Sequence, residues 1–127
     1  MKRDMELIRK ILFTIEDKYV DTWLSSSEIP IDGYDMKTIG YHCAILHEAG
    51  LLYDYEGQYG DGELQQFGVS RLTWDGHELL DKIKSDTVWN KTKDTIKAKG
   101  IPFVLDTVKE IATAVTTSMI HTAITGL

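Results

Sequence analysis

The feature that most restricts how this chain can fold is a halted helix followed at once by strand-like sequence. Met36, Ile39, Cys43 and Leu46 recur at three-and-four spacing, and Gly50 within Ala49-Gly50-Leu51 ends the run. Apolar residues at that spacing form one stripe of a helix, and a glycine just past the end lets the chain leave through a left-handed conformation. Asp35 stands where a cap belongs. Residues 51–55 and 69–74 then read as two strands, and the glycine-rich, proline-free stretch 56–68 between them reads as a long flexible tip. Thr73 or Asp75 is placed to cap a following helix that carries Leu79, Leu80 and Ile83.

The flanks are mostly helical. Met5, Ile8, Ile11, Leu12 and Ile15 make an amphipathic first helix behind Asp4. Trp23-Leu24 and Ile29-Pro30-Ile31 are apolar islands too short for a helix, consistent with a loop carrying a small strand. Asp86 is placed to cap a helix through Val88, Trp89, Thr92 and Ile96, and Gly100 with Pro102 punctuates the chain. A last helix is expected from about Phe103 to Thr125, with Val104, Val108, Ile111, Val115 and Met119 as its stripe. At 127 residues one core is expected, so residues 1–100 and the helix of 101–127 are read as one domain.

Charge is distributed unevenly. The net charge is −6, yet residues 19–66 hold Lys37 alone against nine acids, net −8, whereas residues 82–99 hold six lysines against Asp86 and Asp94, net +4. A polyanion is drawn to the second region and repelled by the first. The single cysteine, Cys43, excludes an internal disulfide framework, and the charged start lacks the apolar stretch of a signal peptide. A cytoplasmic location is the resulting expectation. Residues 111–127 carry no Asp, Glu, Lys or Arg, but their threonines interrupt the run too often for a membrane span.

The order helix, recognition-type helix, glycine, strand, tip, strand, helix is that of a winged helix-turn-helix. The segment Ile39-Gly40-Tyr41-His42-Cys43-Ala44-Ile45-Leu46-His47-Glu48-Ala49-Gly50-Leu51-Leu52 resembles the recognition helix of bacterial winged-helix repressors, and Arg71-Leu72-Thr73-Trp74-Asp75-Gly76-His77-Glu78-Leu79-Leu80 resembles the second wing strand and its Leu-Thr-x-x-Gly turn. Over nearly the whole chain, the opening Met1 to Leu12, Tyr41-His42 to Gly50-Leu51, Arg71 to Asp81 and Asp86-Thr87-Val88-Trp89-Asn90-Lys91 resemble the bacterial and prophage family known as domain of unknown function 2513. That resemblance implies a bacterial or phage origin and a winged-helix-like fold, and carries no activity, cofactor or catalytic residue. The expected class is α+β, mainly α, with a two- or three-stranded antiparallel wing and additional C-terminal helices.

Two functions from different classes fit. A DNA-binding transcriptional regulator would use Lys37, Thr38, Tyr41 and His42 on the second helix together with Lys91, Lys93 and Lys97, because phosphates reward lysines and base edges reward polar side chains. The alternative is a protein-interaction module, or a phage-encoded inhibitor, that binds a basic protein through Asp54, Glu56, Tyr59, Asp61 and Glu63 of an acidic wing. Such a wing disfavours a groove lined with phosphates. A homodimer through residues 103–125 is a further expectation.

The chemistry-bearing residues have plainer readings. Cys43 and His47 lie one turn apart, with His42 and His77 nearby, but a zinc site needs three or four ligands and Cys43 occupies an apolar anchor position. No metal, cofactor or catalytic residue is expected, and the chain is read as non-enzymatic. Trp74 and Trp89 are read as packing residues in preference to stacking platforms for single-stranded nucleic acid. Tyr53, Tyr55 and Tyr59 fit a recognition patch and ordinary strand positions equally well.

Overall fold

The computed structural model describes residues 1–126. In it α1 (Met5–Lys18) is followed by β1 (Leu24–Ser25), a single 3-10 turn (Ser26–Glu28), α2 (Met36–Glu48), β2 (Tyr55–Gly60), β3 (Glu63–Val69), α3 (Trp74–Ile83), α4 (Asp86–Lys99) and α5 (Leu105–Thr125). The class is α+β and mainly α, with one antiparallel sheet in the order β1-β3-β2. The chain divides into two compact units, Met1–Glu78 and Leu79–Leu127, and the division falls within α3.

In the first unit α1 buries Leu7, Ile8, Ile11, Leu12 and Ile15 on one stripe. Its cap is Asp4, whose Oδ1 accepts the Glu6 and Leu7 N–H groups at 2.9 and 3.2 Å. Helix α2 starts under Asp35, which accepts the Thr38 N–H at 2.8 Å, and buries Ile39, Gly40, His42, Cys43 and Leu46. Gly50 takes φ +77°, so that Gly50 N–H reaches the His47 carbonyl at 3.0 Å and Leu51 N–H the Leu46 carbonyl at 2.9 Å. These two bonds form a Schellman motif, which is why the chain turns into the hairpin at that point.

The hairpin is displaced outward from its expected position. Residues 51–54 and 70–73 do pair, through Tyr53 N–H to Arg71 carbonyl at 2.8 Å, Ser70 N–H to Asp54 carbonyl at 3.1 Å and a Leu52–Leu72 bridge. The regular ladder, however, lies in β2 and β3, inside the stretch expected to be a flexible tip. The tip itself is the two residues Asp61 and Gly62, at φ +54° and +75°. Positive φ at both central positions is the mirror-image turn whose twist suits two-residue hairpins. Gln65 is left out of the pairing where Gln58 faces Gln66 and Tyr59 faces Leu64, a bulge that puts Leu64 and Phe67 on the same face. The Leu64 methyls and the Phe67 ring then reach α2: a Cβ on Gly40 would lie 2.6 Å from Leu64 Cδ2 and 3.0 Å from Phe67 Cδ1.

The Leu72-Thr73-x-x-Gly76 turn closes onto the exit of α2. Thr73 is the cap of α3, its Oγ1 accepting the Gly76 N–H at 3.0 Å while donating to the Gly50 carbonyl, and its own N–H bonds the Leu51 carbonyl at 3.0 Å. The two motifs singled out in the sequence are therefore one clasp. Trp74, expected to pack inward beside Leu72, is 77% exposed. Strand alternation ends at Thr73, and as the first residue of α3 Trp74 follows helical geometry and points away from the core.

In the second unit the N-cap of α4 is Ser85, one residue before the expected Asp86, with its Oγ accepting the Val88 N–H at 3.3 Å. Trp89 is buried as expected and lies 5.7 Å from the Phe103 ring. Of its expected stripe helix α5 buries Val108 alone, with Ala112 buried beside it. Among the described residues no helix is long and apolar enough to cross a membrane.

Cys43 is fully buried on α2, and burial pushes its thiol up to about 12. Burial likewise pushes the Tyr55 phenol up to about 12, and a hydrogen bond to Asp4 raises Tyr34. In each case the fold favours the neutral form, so this stabilisation is complete below the ordinary values of 9.0 and 10.0 and is lost as pH climbs toward 12. Urea midpoints are expected to stay level through neutral pH and to decline above about pH 9. In the same protein Cys43 should react with a disulfide reagent only at the rate of unfolding. A midpoint that rises above pH 9, or rapid thiol reaction in the native state, would contradict this placement.

Candidate functional site

The residues expected to read DNA are divided between the two units, Lys37, Thr38, Tyr41 and His42 in the first and Lys91, Lys93 and Lys97 in the second. On α2, Lys37 and Tyr41 are exposed and Thr38 is half-buried. Lys37 is held by Glu63 of β3, Nζ to Oε2 3.3 Å. His42, expected on the open face, is fully buried. Its Nε2 accepts the Asp4 N–H at 2.9 Å and its Nδ1 donates to the Thr38 carbonyl at 2.8 Å, which assigns the neutral Nδ1–H tautomer. Tyr34 completes the cluster by donating its hydroxyl to Asp4 Oδ2 at 2.9 Å. The helix stripe explains the misplacement, because His42 precedes Cys43 and both fall within the roughly 100° or wider arc that faces the core.

Lys91, Lys93 and Lys97 belong to the second unit and are spread over α4. Lys93 is half-buried with its ammonium 5.5 Å from the centre of the Trp89 ring. Lys91 lines a hollow facing α5 together with Thr95 and Lys99, and Lys97 is exposed.

The acidic set is also divided. Asp54 sits at the base of the hairpin, where its Oδ1 accepts the Tyr55 N–H at 2.8 Å and lies 3.9 Å from His47 Nε2. Asp61 occupies the tip, Tyr59 is 71% exposed on β2, and Glu63 faces Lys37. Glu56 opens onto a cavity. Glu56 and Gln58 of β2, with Gln66, Phe67 and Gly68 of β3, line one side of it along the sheet face, and Gln66 donates its side-chain amide to Gln58.

That face forms a groove of about 370 Å³, bounded on its other side by Trp23, Leu24, Ser25 and Glu28. The Trp23 indole lies across Gly68, where a Cβ would stand 3.2 Å from Cε3. Glu28 is oriented by its own turn, its Oε1 accepting both the Ser25 N–H at 3.1 Å and the Ser25 hydroxyl at 3.0 Å. Lys18 reaches this turn only at the Glu28 backbone carbonyl, 2.7 Å away. Two carboxylates, one half-exposed indole and a pair of side-chain amides therefore line the groove, and no basic side chain does. Sequence reasoning missed Trp23 and Glu28, since only the pairing of Leu24 with Val69 and Ser25 with Gly68 brings their segment to the hairpin.

Among the described residues no group of three or more His, Cys, Asp or Glu side chains comes together in a way that could hold a metal ion. His47 bonds the Leu52 carbonyl at 3.2 Å, and His77 pairs with Glu16 at 3.3 Å.

Comparison with known proteins bears on the whole of this region. The profile of a family described as "Hypothetical protein (DUF2513)" matches residues 2–102. The chain belongs to this family. A Haemophilus influenzae Rd protein described as an uncharacterized protein is 38% identical over 122 residues, which cover 94% of this chain and 99% of the relative. No solved structure matches. The family match takes in every residue of the groove and of the Asp4–Tyr34–His42 cluster.

Proposed function

We propose that this family member is a protein-interaction module that receives a basic segment of another protein in the groove between Trp23 and Glu56. The observation that carries the reading is the groove's lining: an exposed indole face flanked by Glu28 and Glu56, with no lysine or arginine among its walls. A guanidinium or ammonium held over an indole gains about 0.5–2 kcal/mol, more as water is excluded. Each carboxylate adds a further fraction of a kcal/mol in an exposed setting. The amides of Gln58 and Gln66 offer donors and acceptors for the segment's backbone. The surrounding excess of acid, nine against one over residues 19–66, steers a basic partner toward this side of the chain.

A DNA-binding regulator is the second reading, and the observation that favours it is the open face of α2, where Lys37 and Tyr41 stand beside a hairpin in the order expected of a winged helix. Against it, Glu63 neutralises Lys37, His42 is buried, and the hairpin presents Asp61 at its tip. Phosphate contacts supply most of the affinity of such readers, and this face offers few.

The test uses a fluorescein-labelled arginine-rich nonapeptide and a random DNA duplex, each titrated by anisotropy at low salt. The peptide is expected to bind, and Trp23→Ala combined with Glu56→Gln is expected to weaken it tenfold or more, by roughly 1.4 kcal/mol or above. The duplex is expected not to bind. Duplex binding that falls steeply with salt, together with peptide binding indifferent to both substitutions, would reverse the two readings.

A further inference from the structure

We infer that the side chain received in the groove is an arginine, and that the Trp23 indole selects it over lysine. This inference rests on the proposed function and names the residue that the groove takes from its partner.

Trp23 is 42% exposed, and its six-membered ring lies over Gly68, where a Cβ would stand 3.2 Å from Cε3 and 3.8 Å from Cζ3. The pairing of Leu24 with Val69 and of Ser25 with Gly68 fixes the segment that carries the ring against the sheet. A flat aromatic surface is therefore in place before any ligand arrives.

The hydrogen-bonding atoms beside it are mostly acceptors. Glu28 Oε1 is occupied by the Ser25 N–H and hydroxyl, while Glu28 Oε2 has no protein partner among the described residues. Among the same residues neither oxygen of Glu56 has a partner, and Gln66 Oε1 has none because that side chain bonds Gln58 through its amide nitrogen. All of these oxygens belong to side chains that line the groove with the indole.

A guanidinium matches that lining better than an ammonium does. It carries five N–H donors in one plane, so it can lie on an aromatic face and turn a two-pronged edge to a carboxylate at the same time. Glu56, with both oxygens open, suits the fork, and Glu28 Oε2 suits a single N–H. An ammonium is a compact, strongly hydrated point charge, which meets the carboxylates but has no plane to stack. Both cations share the charge attraction, so selection between them falls to Trp23.

Two fluorescein-labelled nonapeptides of equal charge, one rich in arginine and one with every arginine replaced by lysine, test this by anisotropy at low salt. The arginine peptide is expected to bind roughly fivefold or more tightly than the lysine peptide. Trp23→Leu should bring the two affinities to within about twofold, and Trp23→Phe, with a weaker aromatic face, should keep a smaller preference than the wild type. The wild-type pair reads selectivity without any variant, and Trp23→Phe carries the test of the ring should Trp23→Leu fail to fold. Equal affinities in the wild type, with both peptides weakened by Glu56→Gln, would overturn the arginine assignment and leave the groove as the docking site. An arginine preference undiminished in both Trp23 variants would overturn the role of the indole. Binding of both peptides that ignores every one of these substitutions would overturn the inference together with the reading it rests on.

Discussion

Gly76→Ala is expected to be the most damaging single methyl that can be added to this chain. A Cβ at position 76 would stand 2.2 Å from the Leu51 carbonyl oxygen and 3.2 Å from Leu72 Cβ. The obstacle is backbone, and it is pinned: Leu51 carbonyl accepts the Thr73 N–H at 3.0 Å, while Gly50 carbonyl accepts the Thr73 hydroxyl. Relief requires opening the clasp between the exit of α2 and the start of α3, which gives up hydrogen bonds of about 1 kcal/mol each on top of an overpacking penalty of about 1–3 kcal/mol. The sum, about 3–5 kcal/mol, opposes the gain of about 1 kcal/mol that alanine ordinarily brings to a helix. Thermal and urea unfolding should show a midpoint lower by about 10 °C or more. Gly62→Ala is the control, because nothing lies within 4 Å of its Cβ and only the left-handed φ of +75° is penalised, by about 1 kcal/mol. Equal effects at the two positions would mean that the close approach of Gly76 to Leu51 is not what the clasp depends on.

Asp4→Ala should rank second. The carboxylate caps α1 through two N–H groups and accepts the Tyr34 hydroxyl, and the Asp4 N–H satisfies buried His42. Removing the side chain strips the cap, about 1 kcal/mol, and leaves the Tyr34 hydroxyl without its acceptor. A total of about 1.5–3 kcal/mol is expected in urea unfolding. Tyr34→Phe separates the contributions: it keeps the cap and should recover half or more of the loss. The alanine variant should also return Tyr34 toward its ordinary titration near 10.0, since the hydrogen bond to Asp4 is the leading cause of its upward shift. A Tyr34 titration unmoved by Asp4→Ala would show that the two residues do not interact as described.

How far the sequence disclosed this molecule depended on how local each signal was. Helices α1, α2 and α4 follow from apolar spacing between caps and glycines, and those signals sit within a few residues of one another. The hairpin was misplaced because Tyr55–Gly60 and Glu63–Val69 lack the β-branched alternation that advertises a strand, their stability coming instead from Leu64 and Phe67 packed on Gly40. Asp61-Gly62 was the available signal, since that dipeptide favours a two-residue hairpin turn. Trp74 was misplaced because the change from strand to helix falls one residue earlier than alternation suggests. The groove was the least legible part. Glu56 lay among the acidic residues noted from sequence, but Trp23 and Glu28 reach it only through the pairing of a two-residue strand with β3, some 44 residues away in the chain.

The proposed function requires that this protein meet its partner at the open sheet face at Trp23 and not at α2. Nitrogen-15 chemical shift mapping tests it most directly, with the arginine-rich nonapeptide and the random duplex titrated separately into the chain of residues 1–127. The peptide is expected to move the Trp23 indole resonance, the Gln58 and Gln66 side-chain amides and the Gly68 backbone amide, whereas the duplex is expected to move none of these and to leave Lys37 and Tyr41 undisturbed. Shifts confined to Lys37, Tyr41 and the hairpin tip on adding duplex, with the Trp23 groove silent toward the peptide, would contradict it.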